Sequence, residues 1–261
     1  MIRHVIAGIL LLLSVVVQGQ LYAQPMTIAG ASSLRPALDQ LAEAYMAEHP
    51  GHEVSVIYGS SGRLLAQIVN GAPFDVFMSA DMEFPQQLAD QGLAASVPTE
   101  YAHGRLALWS AELDVSTMTL ADLARPEIRR VAIAQPALAP YGARAQEALI
   151  AAGVWEAVQP KLVFGENISQ VAQMAESGAA DVGIIAVSLA IQPAMATRPH
   201  QEIDASTHAP LAQGFVITQR GGNNPVAQGF AEFLGSAPAA NILIMNGFAM
   251  HSDEHHGHEH H

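Results

Sequence analysis

Short apolar runs alternate with longer stretches in which apolar positions recur every three or four residues, and this rhythm persists from Met26 to Asn246. Residues 26–29 predict a strand. Leu34, Leu38, Leu41 and Tyr45 then form a helical stripe over residues 34–48, which His49-Pro50-Gly51 ends. Residues 54–58 predict a second strand, 64–70 a short helix stopped by Gly71, and 76–78 a third strand; a further helix runs through Leu88 to Asp90 and closes at Gly92. Residues 105–109 open a new segment. Within it, 131–134, 162–164 and 182–186 predict strands, with helices at 143–152, closed by Gly153, and at 171–176. Residues 214–218 predict a last strand, and 226–234 and 239–246 two closing helices. Strands separated by helices imply an α/β fold of mostly parallel sheets covered on both faces. In open sheets of this kind ligands sit beyond the carboxyl ends of strands, where helices begin.

The two ends of the chain break the rhythm. Arg3 and His4 precede an apolar run over residues 5–17 interrupted by Ser14, then the polar Gln18-Gly19-Gln20 and Leu21-Tyr22-Ala23. A membrane span needs about 20 apolar residues. The segment therefore reads as a secretory signal cut after Ala23, not as an anchor, which implies a soluble mature protein. At the other end, residues 251–261 hold six of the twelve histidines together with Asp253, Glu254 and Glu259. His255, His256, His258, His260 and His261 are candidate ligands for zinc, nickel or copper; the other reading is a solvated tail. A metallochaperone working through this tail requires that its removal abolish function.

Half of the 261 residues are apolar and 13% are charged, enough for one large α/β unit or two lobes of about 100 residues each and too apolar for global disorder. The formal charge is −13, and it moves to −14 once residues 1–23, which contain Arg3 and no acid, are removed. Such an acidic chain argues against nucleic acid and anionic membrane as partners. There is no Cys, hence no disulfide framework and no thiol chemistry.

Four strand-to-helix junctions carry the candidate chemistry: Ala29-Gly30-Ala31-Ser32-Ser33-Leu34, Tyr58-Gly59-Ser60-Ser61-Gly62-Arg63, Ala139-Pro140-Tyr141-Gly142 and Gly165-Glu166-Asn167-Ile168-Ser169-Gln170. Each alone reads as an ordinary cap or loop. The sharper reading aims hydroxyls and the free N–H groups of helical first turns at an anion.

These junctions, in this order and spacing, together with Asn70-Gly71-Ala72-Pro73-Phe74-Asp75-Val76-Phe77-Met78-Ser79-Ala80-Asp81, resemble the periplasmic molybdate-binding proteins of ATP-driven importers. The resemblance runs from Met26 to Phe248. It implies a two-lobed type II periplasmic binding-protein fold with the ligand in the interlobe cleft. Residues 24–104 and 209–250 would form one lobe and 105–208 the other, with crossings near Gly104-Arg105-Leu106 and His208-Ala209-Pro210. It also implies a monomer that delivers molybdate, and tungstate, to the permease of an ABC importer, without a cofactor. Carried over residue by residue, the ligand shell is Ser33 and Ser61 in the first lobe, through hydroxyls and amides, and Tyr141 and Ile168 in the second, mainly through amides. A tyrosine donor that some members carry is Ala186 here, and the Tyr141 hydroxyl stands in its place. The run from Gly71 to Asp81 reads as scaffold outside the ligand shell, and Arg63 as a side chain that reaches solvent.

None of the four residues is charged. Molybdate is a tetrahedral dianion without a proton near neutral pH, so a pocket that only donates suits it and leaves the proton of phosphate without an acceptor. Another oxyanion, such as sulfate or thiosulfate, is the alternative on the same fold. An enzyme is disfavoured: no Gly-x-Ser-x-Gly elbow occurs, and the junctions hold no paired carboxylates and no His–Ser pair.

Overall fold

The computed structural model describes residues 25–250; the proposed signal segment, 1–23, and the histidine-rich tail, 251–261, lie outside the described residues. The chain begins with β1 (Met26–Ala31), a 3₁₀ turn (Ser32–Leu34) and α1 (Arg35–Glu48), then β2 (Val54–Gly59) and α2 (Ser61–Val69), then β3 (Val76–Ser79) and α3 (Glu83–Asp90). β4 (Thr99–Gly104) and β5 (Leu106–Trp109) follow, separated by Arg105 alone. Next come β6 (Val131–Ala134), α4 (Pro140–Ala151), α5 (Trp155–Val158), β7 (Leu162–Gly165), α6 (Ile168–Glu176), β8 (Val182–Ala186), α7 (Val187–Ala190) and β9 (His200–Glu202). β10 (Leu211–Ile217), α8 (Pro225–Leu234) and α9 (Ala237–Met245) complete it.

The strands form two five-stranded sheets, in the orders β2-β1-β3-β10-β4 and β7-β6-β8-β5-β9. We call each sheet with its helices a lobe. The chain passes from the first sheet to the second at Arg105 and returns between β9 and β10. Pairing is evenly mixed rather than mostly parallel. β1 runs parallel to β2 and β3, and β6 to β7 and β8, whereas β10 is antiparallel to β3 and β4, and β5 to β8 and β9. The antiparallel pairs have a topological cause: strands that carry the chain out of a lobe lie beside strands that bring it back. β4 and β9 are such strands, both at sheet edges, and their polar sequences, Thr-Glu-Tyr-Ala-His-Gly and His-Gln-Glu, give no apolar signal.

Central strands are buried on both faces. In β1 and β3, Ile28, Val76 and Met78 pack toward Leu38, Leu41 and Tyr45 of α1; Ala29 and Phe77 pack on the opposite face with Leu64, Leu65 and Ile68 of α2 and Leu88 of α3. Edge strand β2 instead alternates half-buried Val54, Val56 and Tyr58 with exposed Ser55 and Ile57. The helical stripe read from the sequence is the buried face of α1, with Leu38, Leu41 and Tyr45 fully covered. Among the described residues no helix is long and apolar enough to cross a membrane.

Candidate functional site

Four helical first turns begin earlier than their apolar stripes. The 3₁₀ turn starts at Ser32, α2 at Ser61, α4 at Pro140 and α6 at Ile168, so the four predicted oxyanion ligands each lie in a first turn and not in a loop. The turns after β1 and β2 belong to the first lobe; those after β6 and β7 belong to the second. All four converge on one cavity. It is walled by residues 31–33 and 59–61 and by Ala80 from the first lobe, and by residues 139–141 and Ile168 from the second. In this closed arrangement it is narrow, with room for about one water-sized group. Ser33, Ser61, Tyr141 and Ile168 are therefore brought together, and no charged residue lines the wall.

The donors are free to act. Amides of a helical first turn have no intrahelical partner, and among the described residues no hydrogen bond engages those of Ser33, Ser61, Tyr141 or Ile168. The side-chain oxygens of Ser33, Ser60 and Tyr141 are buried and make no hydrogen bond. Buried polar atoms are seldom left so, and here three lie at one cavity. Ser61 Oγ accepts the Ala80 amide at 3.0 Å, which leaves its own proton to point elsewhere. Burial pushes the phenol of Tyr141 above its ordinary pKa, partly offset by the neighbouring Ser33 hydroxyl and Arg105, so it remains a neutral donor.

Close packing fixes these positions. A side chain at Gly142 would run into the Ala134 carbonyl, so glycine lets α4 start hard against β6; one at Gly104 would strike the Tyr141 hydroxyl. Asn167 caps α6 by accepting the Gln170 amide at 3.1 Å. Across the cleft, the Ser169 amide and hydroxyl donate to Ser32 Oγ and to its carbonyl at 3.3 and 3.0 Å, the Ser188 hydroxyl donates to the Ser33 carbonyl at 2.8 Å, and the Gly62 amide donates to the Leu138 carbonyl at 2.9 Å. The two lobes are thus closed on one another.

Some residues escaped the sequence. Ser32 and Ser60, the first members of two serine doublets, reach the cavity with their partners; the doublets themselves were the available signal. Ala80 lies in the run read as scaffold, yet it lines the wall and holds Ser61. The rest of that run is structural: Asp75 takes the Thr27 amide at 2.8 Å, joining β3 to β1, and Asp81 takes the Ser79 hydroxyl and the Phe84 amide at 2.8 and 3.1 Å. Ala186, at the end of β8, offers no side-chain donor, and Ser188 two residues on serves lobe contact. Arg63 stays outside the cavity and pairs with Glu166. A larger hollow of about 240 Å³ on the second lobe is bordered by Glu112, Glu127, Arg129, Arg130 and Asp181, whose carboxylate accepts the amides of Arg129 and Arg130 at 2.8 Å each; charged side chains of both signs line it, and none of the four predicted residues does. Among the described residues no three His, Asp or Glu side chains are grouped to hold a metal ion.

Residues 26–249 match the family model of the bacterial extracellular solute-binding proteins. Among similar proteins, the molybdate-binding protein ModA of Rhodobacter capsulatus is 36% identical over 211 residues, which span 78% of this chain and 81% of that one. ModA of Azotobacter vinelandii is 31% identical over 230 residues, 87% of this chain and 91% of that one. The solved structure of the Azotobacter vinelandii periplasmic molybdate-binding protein superimposes with a TM-score of 0.80 at 33% identity, covering 86% of this chain and 99% of that one. The sulfate-binding protein SubI of Mycobacterium tuberculosis, at 16% identity and a TM-score of 0.73, shares the fold. The chain belongs to the bacterial extracellular solute-binding proteins, with the molybdate-binding proteins among its relatives.

Proposed function

We propose that this protein captures molybdate, and tungstate with it, in the cavity between its lobes and delivers it to the permease of an ABC importer. One observation carries the reading: four helical first turns, two from each lobe, aim unengaged amides and hydroxyls into a small cavity that no charged side chain lines. Hydrogen bonds to a charged oxygen contribute about 1.5–3 kcal/mol each, net of the water they replace, so roughly six or seven together are enough for tight binding. First-turn amides add positive potential within a turn of the helix end. Local dipoles, and not net charge, hold the anion, which is how a chain with 24 acidic and 11 basic residues serves as an anion binder.

Ser33 and Ser61 act through hydroxyl and amide, Tyr141 through amide and phenol, and Ile168 through its amide. Hinge bending at Arg105 and between β9 and β10 opens the lobes, and closure presents the surface that the importer reads. The protein works as a periplasmic monomer, exported by its signal segment, and performs no catalysis. Its lobes follow the division at residues 104/105 and 208/209. Calorimetric titration of the mature protein with molybdate, tungstate and sulfate tests this: tight binding of the first two and weak binding of sulfate are expected. Affinity for sulfate equal to that for molybdate, or no binding of molybdate, would overturn the reading.

A further inference from the structure

Beside the cavity, a notch of about 230 Å³ opens at the mouth of the cleft, bordered by Ile57, Tyr58, Ser60, Arg63, Gln67 and Glu166. Ser60 lines both spaces, so the notch adjoins the cavity directly. Arg63 Nη1 donates to Glu166 Oε2 at 2.8 Å, and both side chains are more than half exposed. Arg63 stands on α2 in the first lobe, and Glu166 follows β7 in the second. The pair therefore bridges the lobes, and no opening of the cleft at the notch can preserve it.

We propose that Arg63 is a positioning residue with two roles set by the state of the cleft, an inference that rests on the oxyanion-binding reading above. In the open protein Arg63 stands bare at the mouth and draws the dianion toward the first turns. In the closed protein Glu166 takes the guanidinium, so the ligand is passed to neutral donors and the same pair latches the lobes. The acidic balance of the chain makes such a lure useful. First-turn amides act over about one turn, whereas an exposed charge acts over roughly 8–10 Å at ordinary salt. A charge in a cleft mouth changes association rates more than affinity. An exposed ion pair contributes modestly to closure, within about a five-fold change in rate.

The experiment measures association and dissociation of radiolabelled molybdate by rapid filtration, with excess tungstate as the chase, across a range of salt. At low salt Arg63→Gln is expected to associate about two- to five-fold more slowly than the native protein, and to converge with it at high salt as screening shortens the reach of the charge. Glu166→Gln is expected to associate at least as fast as the native protein. Both variants should dissociate about two- to five-fold faster. Arg63→Lys should keep the native association rate, and the double exchange Arg63→Glu with Glu166→Arg should restore slow dissociation, which a purely structural role for either residue would not do. Native protein that retains no molybdate overturns the oxyanion reading itself. Native protein that binds, with Arg63→Gln associating at the native rate at low salt, overturns the role of Arg63 while leaving that reading in place.

Discussion

Ser61 and Arg63 stand two residues apart on α2, one at the floor of the cleft and the other at its mouth. Ser61 is 1% exposed and meets the cavity with an uncharged hydroxyl and amide. Arg63 is open to water and pairs with Glu166 across the gap. The difference follows from desolvation. A guanidinium buried at the floor would cost several kcal/mol in every state that lacks the ligand. It would also welcome any anion, protonated phosphate included. First-turn amides can only donate, and short hydroxyls such as that of Ser61, which already accepts the Ala80 amide, turn their proton to the ligand; both are far less costly to bury than a charge and are fixed by backbone geometry. Charge is confined to the solvated mouth, where it costs little and contributes little to affinity. The floor therefore sets what binds, and the mouth sets how fast it arrives.

Breaking the floor has the largest expected effect. Ser33→Ala combined with Ser61→Ala removes two hydroxyl donors and should weaken molybdate binding by about 3 kcal/mol or more, roughly 150-fold, with the fold retained in thermal unfolding. Affinity unchanged in the folded double variant, read by calorimetry, would place the ligand elsewhere. Tyr141→Phe sharpens the comparison at one atom. Its hydroxyl is buried with only the Ser33 hydroxyl beside it and no well-formed hydrogen bond, and a buried hydroxyl so poorly satisfied costs the empty protein up to about 1–3 kcal/mol. Removing it should raise the melting temperature of the ligand-free protein and weaken molybdate binding about ten-fold. A fall in stability together with unaltered affinity would assign the phenol to packing against Gly104 and not to the ligand.

Why the first turns were half legible in sequence is the same physics. Apolar stripes locate a helix by the face it buries, and α2 and α6 were found from Leu64 and Val171 onward because those residues pack on a sheet. The turns before them face a cavity instead of a core. They carry Ser61 and Gly62, or Ile168 and Ser169, and show no stripe, so periodicity marks each helix three residues after its true start. Motif resemblance named Ser33, Ser61, Tyr141 and Ile168 where periodicity was silent. It singles out Ser33 and Ser61, yet Ser32 and Ser60 line the wall as well, and the different contacts of each doublet's members emerge only from geometry. The antiparallel edge strands β4 and β9 are silent for different reasons: β9 buries none of its three residues and is free to be polar, whereas β4 buries Tyr101, Ala102 and His103 in succession, too short and too mixed a run to read as a strand.

The smallest expected effect is on pH dependence, and it tests whether the floor is as neutral as its wall. Of the four proposed ligand residues only Tyr141 titrates. Burial raises its folded pKa above the unfolded value of 10. The neutral phenol therefore makes its full contribution at any pH below about 10, and loses it only as pH climbs through the raised value. Between about pH 6 and pH 9 no donor at the floor changes its charge. Molybdate affinity, measured by calorimetry at fixed ionic strength, should stay within about two-fold across that range, since each tenfold change would need about 1.4 kcal/mol from a titrating partner. A steep loss of affinity on raising pH through the histidine range would demand a cationic group against the ligand, and so would move charge from the mouth to the floor.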